Sequence, residues 1–190
     1  DDPAPSRNAF DSQAQAAMLY TSGTTGRPKG AIITGGNLGS NALVLAELWG
    51  FTADDVLLHA LPVYHTHGLF VATNTVLAAG ASMLWLPKFE AAQVLSLLPQ
   101  ATVLMGVPTF YTRLLAQGGL DRESVKTMRL FISGSAPLLA ETHVEFEART
   151  GHKILERYGM TEAGMVTSNP YKGGERRAGT VGQPLPGVQL

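Results

Sequence analysis

The 190-residue sequence contains no cysteine, which excludes disulfide frameworks, thiolate metal sites and a cysteine nucleophile together. Charge is sparse at 15%, and neither sign is in excess: 14 Lys+Arg stand against 15 Asp+Glu, a formal net charge of −1. Without a basic excess there is no electrostatic footprint for a phosphate backbone, so no nucleic-acid partner is expected. No apolar run approaches the ~20 residues that span a bilayer. The opening Asp1-Asp2-Pro3-Ala4-Pro5-Ser6 has neither the basic start nor the apolar stretch of a secretory signal. The expectation is therefore a cytoplasmic protein with no membrane contact. Hydrophobic residues are plentiful at 45%, and there are 21 glycines. Such a composition is that of a soluble globular protein, and a chain of this size buries about 70% of the surface its unfolded form exposes.

Short apolar runs alternate with stretches of helical spacing, which predicts an α/β fold of layered sheets with flanking helices. Strands are expected at 17–20, 31–34, 56–60, 82–86, 102–105, 130–132 and 153–156. Asn37 is expected to cap a helix over 38–49 that Gly50 stops. Pro108 suits the first turn of a helix over 109–117, and Pro137 that of one over 138–150 closed by Gly151. The last of these would place Leu139, Thr142, His143 and Phe146 on one face. Strand-to-helix junctions carry Gly, Ser or Thr, and ligands sit at such junctions in open parallel sheets.

The strongest local signal is Tyr20-Thr21-Ser22-Gly23-Thr24-Thr25-Gly26-Arg27-Pro28-Lys29-Gly30. Glycines let a backbone turn tightly and bring its N–H groups close to a ligand. The hydroxyls and Lys29 add donors suited to a polyphosphate. The ordinary P-loop fails on count, because only two residues separate Gly23 from Gly26 and Pro28 precedes Lys29. On composition alone, a flexible polar hairpin loop joining 17–20 to 31–34 is the competing reading. A second segment, Ile132-Ser133-Gly134-Ser135-Ala136-Pro137-Leu138, combines a strand end, a small-residue turn and a helix start. Its backbone can approach a flat ring, although a plain connection explains it as well. A third, Glu156-Arg157-Tyr158-Gly159-Met160-Thr161-Glu162, offers a stacking face, a hydroxyl for a phosphate and a hard oxygen ligand for Mg²⁺.

Together, and in this order, the three segments resemble the signature motifs of the adenylate-forming superfamily: acyl- and aryl-CoA ligases, luciferases and peptide-synthetase adenylation domains. The resemblance covers nearly the whole chain from about residue 17. It implies that Thr21, Ser22, Gly23, Thr24, Thr25, Gly26 and Lys29 close over the β- and γ-phosphates of ATP. By the same resemblance Gly134, Ser135, Ala136 and Pro137 lie against adenine. In the stretch Glu156, Arg157, Tyr158, Gly159, Met160 and Thr161, the tyrosine stacks on the base and Thr161 meets the α-phosphate. Glu162 would hold Mg²⁺. Lys29, His65, Thr161 and Glu162 are the candidate catalytic residues, and ATP, Mg²⁺ and coenzyme A the expected cofactor and co-substrates. The segment Arg177-Ala178-Gly179-Thr180-Val181-Gly182-Gln183-Pro184-Leu185-Pro186-Gly187 also matches, and reads as structural turn chemistry.

The acid to be activated depends on Pro62-Val63-Tyr64-His65-Thr66-His67-Gly68. Amino-acid-activating relatives carry an aspartate at the start of this region, and Tyr64-His65 stands here instead. Arg113 follows on a helix that lines the acyl site in relatives, and a guanidinium matches a carboxylate bidentately. The combined text looks most like the malonyl-CoA synthetases. That resemblance implies that Arg113, helped by Ser135 and His67, holds the distal carboxylate of malonate or methylmalonate. The competing view makes Arg113 a surface ion pair worth under ~1 kcal/mol, and a ligase for medium-chain or aromatic acids is the runner-up. His59, His143 and His152 are expected as ordinary surface or strand residues. Two further alternatives are a non-catalytic nucleotide-binding module and a purely structural piece. Relative to the family, the chain reads as the central fragment, over 1–190, of the AMP-binding domain, without the initial strands, the ribose-binding aspartate, the hinge and the C-terminal lid domain with its catalytic lysine. Alone, it is expected to turn over little.

Overall fold

The computed structural model describes residues 11–21 and 26–190. Two sheets are present among them. A two-stranded antiparallel hairpin pairs β1 (Gln15–Thr21) with β2 (Lys29–Thr34), Thr21 lying opposite Lys29. The main sheet has seven strands in the order β4-β3-β5-β6-β7-β8-β9. These are β3 (Val56–His59), β4 (Ser82–Trp85), β5 (Val103–Gly106), β6 (Leu130–Ser133), β7 (Leu155–Met160), β8 (Gly164–Ser168) and β9 (Gln183–Pro184). Pairings from β4 through β7 are parallel, and β7–β8 and β8–β9 are antiparallel. Every residue of β5 and β6 is buried. Continuous apolar runs of this kind belong to parallel strands covered on both faces.

Among the described residues, five α-helices flank the sheets: α1 (Gly35–Leu48), α2 (Thr73–Ala79), α3 (Ala91–Leu97), α4 (Pro108–Leu115) and α5 (Ala140–Thr150). The start of α1 differs from the sequence expectation. Thr34 is the N-cap and Asn37 sits at the third helical position, the two side chains forming a reciprocal capping box. A hydroxyl directly after a strand lets one residue end β2 and satisfy the free N–H groups of the helix. Pro108 occupies the first turn of α4 as expected, and Gly151 closes α5 in the left-handed region. Helix α5, however, begins two residues later than read. Leu139 is its extended N-cap and 59% exposed, so only Thr142, His143 and Phe146 of the expected face are buried. Periodicity did not reveal α2, α3, β8 or β9, because each is short and its apolar positions fill less than two turns or a few pleats.

The chain passes from β4 across β3 to β5. The direction of winding therefore reverses between β3 and β5, the place where open α/β sheets open a crevice at their carboxyl edge.

Candidate active site

A cavity of ≈ 390 Å³ lies at that edge, lined among others by Leu61, His65, His67, Val107, Ser135, Arg157, Met160 and Thr161. Each lining segment follows or ends a strand: β3 leads to 61–68, β5 to Val107, β6 to Ser135, and β7 carries Arg157 to Met160. The connection after β3 continues as a π-helical turn, His67–Ala72, a rare geometry that recurs at functional sites. Its first turn is anchored through Gly68, whose carbonyl accepts from the His59 Nε2–H at 3.0 Å and from Thr73 Oγ1 at 2.9 Å. His59 itself lies flat on Trp85 with ring centroids 4.3 Å apart. It is a strand residue as expected, but a buried one. This anchoring turns His67 inward, while His65 stays exposed at the cavity wall beside Tyr64.

His67 and Ser135 meet: Ser135 Oγ lies 3.2 Å from His67 Nδ1. Ser135 holds a positive φ of 69°, unusual for a residue with a Cβ and a form of strain that collects at ligand sites. His67 is pushed well below its ordinary pKa of 6.5 by burial first, then by the charges of Arg157 and His59, so its ring is neutral. Nε2 of that ring has no partner.

Arg157 is the main surprise. Its residue is 2% exposed, and Nε and Nη2 are buried without hydrogen-bond partners. No carboxylate among the described residues pairs with it. Burial lowers its pKa to about 10, a cost on the order of 3 kcal/mol at neutral pH. Its guanidinium runs across the backbone of Gly134, where an added Cβ would come within 2.4 Å of the guanidinium carbon. A side chain at this glycine would have to displace the guanidinium. Beneath lies Tyr111, fully buried, its hydroxyl donating to the Ile132 carbonyl at 2.6 Å. Sequence reasoning placed Arg157 with the nucleotide. The signal it passed over was a charged residue in phase with Leu155 on a buried strand.

The other expected residues divide. Glu156 does not line the cavity. It is buried against His143, with Oε1 3.8 Å from His143 Nδ1, and accepts the Gly179 N–H at 3.1 Å. That carboxylate braces the turn-rich segment that precedes β9. His143 is accordingly a buried helix residue and not a surface one, and His152 is half-buried. Arg113 is exposed and stands over the Phe89 ring at 5.0 Å, outside the cavity lining. Ala136, Pro137 and Tyr158 are exposed beside the cavity's β6 and β7 walls, with Tyr158 48% accessible. Gly159 lines the cavity.

Thr161 bridges to a second, smaller cavity of ≈ 60 Å³ that it shares with Thr66, Glu162, Ile33 and Asn41. A long hydrogen bond of 3.4 Å joins the Thr66 and Thr161 hydroxyls. Lys29 opens β2 and is exposed. Alternation along the strand puts it on the face of Ile33, and Ile33 lines the cavity of Glu162. Thr21 and Gly26 flank the loop, whose Ser22, Gly23, Thr24 and Thr25 lie outside the described residues.

This architecture is that of the large domain of adenylate-forming enzymes. The chain superposes on the crystal structure of ATP-bound MatB from Rhodopseudomonas palustris with a TM-score of 0.90 and 62% identity, over 93% of this chain and 35% of that one. A malonyl-CoA ligase solved as a ternary product complex with methylmalonyl-CoA and AMP gives 0.89 and 43%, over 95% and 40%. The malonate–CoA ligase of Arabidopsis thaliana is 42% identical over 92% of this chain and 32% of its own length. The human mitochondrial malonate–CoA ligase is 42% identical over 92% and 33%. The family model of AMP-binding enzymes matches residues 1–190, and the chain belongs to that family. It spans about a third of the length of these curated relatives.

Proposed function

We propose that the whole protein is an ATP-dependent ligase that joins a small dicarboxylate, malonate or methylmalonate, to coenzyme A, and that this chain supplies the central part of its AMP-binding domain. The observation that carries the proposal is the buried Arg157, whose Nε and Nη2 have no hydrogen-bond partner and which lines a cavity together with His67 and Ser135. A desolvated guanidinium is specific for a carboxylate that meets it bidentately. One carboxylate of the acid would sit there, while the other points along the cavity towards Thr161. Arg113, six residues beyond the cavity-lining Val107 and so ~9 Å along α4, is a second cation for the distal end once it leaves Phe89.

The free carboxylate oxygen then attacks the α-phosphorus of ATP. A P–O bond forms to the acyl group, and the bond to pyrophosphate breaks. Lys29 and the hydroxyl-rich loop neutralise the departing pyrophosphate, Thr161 orients the α-phosphate, and Tyr158 stacks on adenine. Most of the rate gain in such a step comes from positioning and charge neutralisation. Glu162, an exposed carboxylate beside two threonine hydroxyls, suits Mg²⁺, which takes one or two carboxylates together with substrate phosphates. Bound there, Mg²⁺ would offset phosphate charge. In the second half, the thiol of coenzyme A loses its proton and its sulfur attacks the acyl carbon, releasing AMP. His65, at the cavity wall, would swing aside to admit it. A cytoplasmic location belongs to the same proposal; no helix of the described residues is long and apolar enough to cross a membrane.

The apolar walls at Leu61, Val107 and Met165 favour one alternative, a ligase for medium-chain or aromatic acids. A panel of acids in pyrophosphate–ATP exchange and CoA ligation separates the two. The dicarboxylate assignment requires malonate or methylmalonate to lead the panel, and Arg157→Ala to remove that preference. A panel led by monocarboxylates would overturn it.

A further inference from the structure

Leu38, Ala42, Leu45 and Trp49 recur at helical spacing along α1, and the last three are buried. Asn41 interrupts this stripe with an amide. The amide acts as a short strand would. Nδ2 donates to the Met165 carbonyl at 3.1 Å, and Oδ1 accepts the Met165 N–H at 3.2 Å. Met165 is the second residue of β8, directly after the turn at 161–163 that carries Thr161 and Glu162. Gly164 begins β8 with φ +67°, and a Cβ there would meet Asn41 Oδ1 at 3.2 Å. The three-residue hairpin with a left-handed glycine thus leaves room for this amide and little else. Helix α1 follows β2 without a linker, Thr34 being both the last residue of the strand and the N-cap. Asn41, Ile33, Thr161 and Glu162 line one cavity.

We propose that Asn41 is a positioning residue that holds the turn of Thr161 and Glu162 in register with the β1–β2 hairpin, so that both grip one nucleotide. This rests on the functional reading above. Asn41 acts through the Met165 backbone and one rigid helix. In the whole protein, Asn41→Ala raises the KM for MgATP in acid-dependent pyrophosphate exchange about tenfold and shifts the Mg²⁺ requirement upwards, while the KM for the acid, set around Arg157 and His67, changes less than about twofold. Asn41→Asp gives the same signature, since it sets a carboxylate oxygen against the Met165 carbonyl. Gly164→Ala disturbs the turn from the other side, and its effect does not add to that of Asn41→Ala. Parallel changes in the KM of both substrates, or a lower Tm with unaltered KM values, would reduce Asn41 to a packing residue and overturn the inference. A wild-type protein without acid-dependent exchange refutes the functional reading and this inference with it. A wild type that exchanges, beside an Asn41→Ala variant with the wild-type KM for MgATP, refutes the inference alone.

Discussion

Arg157 and His67 are two positively ionisable groups buried side by side, and each responds in a measurable way. Replacing Arg157 by Met removes an unpaired buried charge and keeps much of the volume. Such exchanges are commonly neutral or stabilising, so Tm should hold or rise while dicarboxylate use is lost. In the wild type, malonate should raise Tm by mass action, and in Arg157→Met it should not; thermal shift with and without the acid reads both. His67 gives a pH signature. Its folded pKa lies below 6.5 through burial and the Arg157 charge, so below about pH 6.5 the unfolded chain binds a proton that the folded one refuses. Stability is therefore full above that pH and falls as the pH drops. His59 and His152, lowered mainly by burial, add to the same slope. Denaturant titrations between pH 7.5 and 5 should show it, about one proton shallower in His67→Asn.

Two local devices act at the scale of the elements. The capping box of Thr34 and Asn37 joins β2 to α1 without a linker. Thr34→Ala should lower stability by about 1 kcal/mol, read as a Tm shift. The second device is the Asp55–Arg129 pair at the amino end of the sheet. Asp55 is 3% exposed and bonds Arg129 through both oxygens at 2.7 Å, with Thr102 at 2.7 Å and the Thr52 N–H at 2.9 Å. Burial alone would raise its pKa, but these donors outweigh burial and hold it below 3.8. The pair's contribution is present above pH 3.8 and lost as the pH falls through the lower folded value. Asp55→Ala leaves Arg129, itself partly buried, without its partner, and should cost on the order of 3 kcal/mol, measurable by denaturant unfolding.

Across the molecule, the parallel sheet brings to one edge residues that are 100 positions apart, from Leu61 to Thr161. Local chemistry was enough to reveal the α/β class, six of the seven expected strands within a few residues, the Pro108 start of α4 and the Gly151 stop of α5, because each depends on a short window of backbone and turn preferences. Of the residues that the resemblance to adenylate-forming enzymes singled out, His65, His67, Ser135 and Thr161 line the first cavity, and Thr161 and Glu162 the second. The strand expected at 153–156 instead starts at Leu155 and runs on to Met160. Long-range packing settled the rest. Glu156 and Arg157 are adjacent charged residues of opposite sign, yet one braces Gly179 and the other lines the larger of the two cavities described above, because neighbouring side chains on a strand leave by opposite faces. Arg113 lies over Phe89, and Asn41 binds a strand 124 residues away. A side chain's partner across such distances follows from how sheets and helices pack, and no spacing along the chain encodes it.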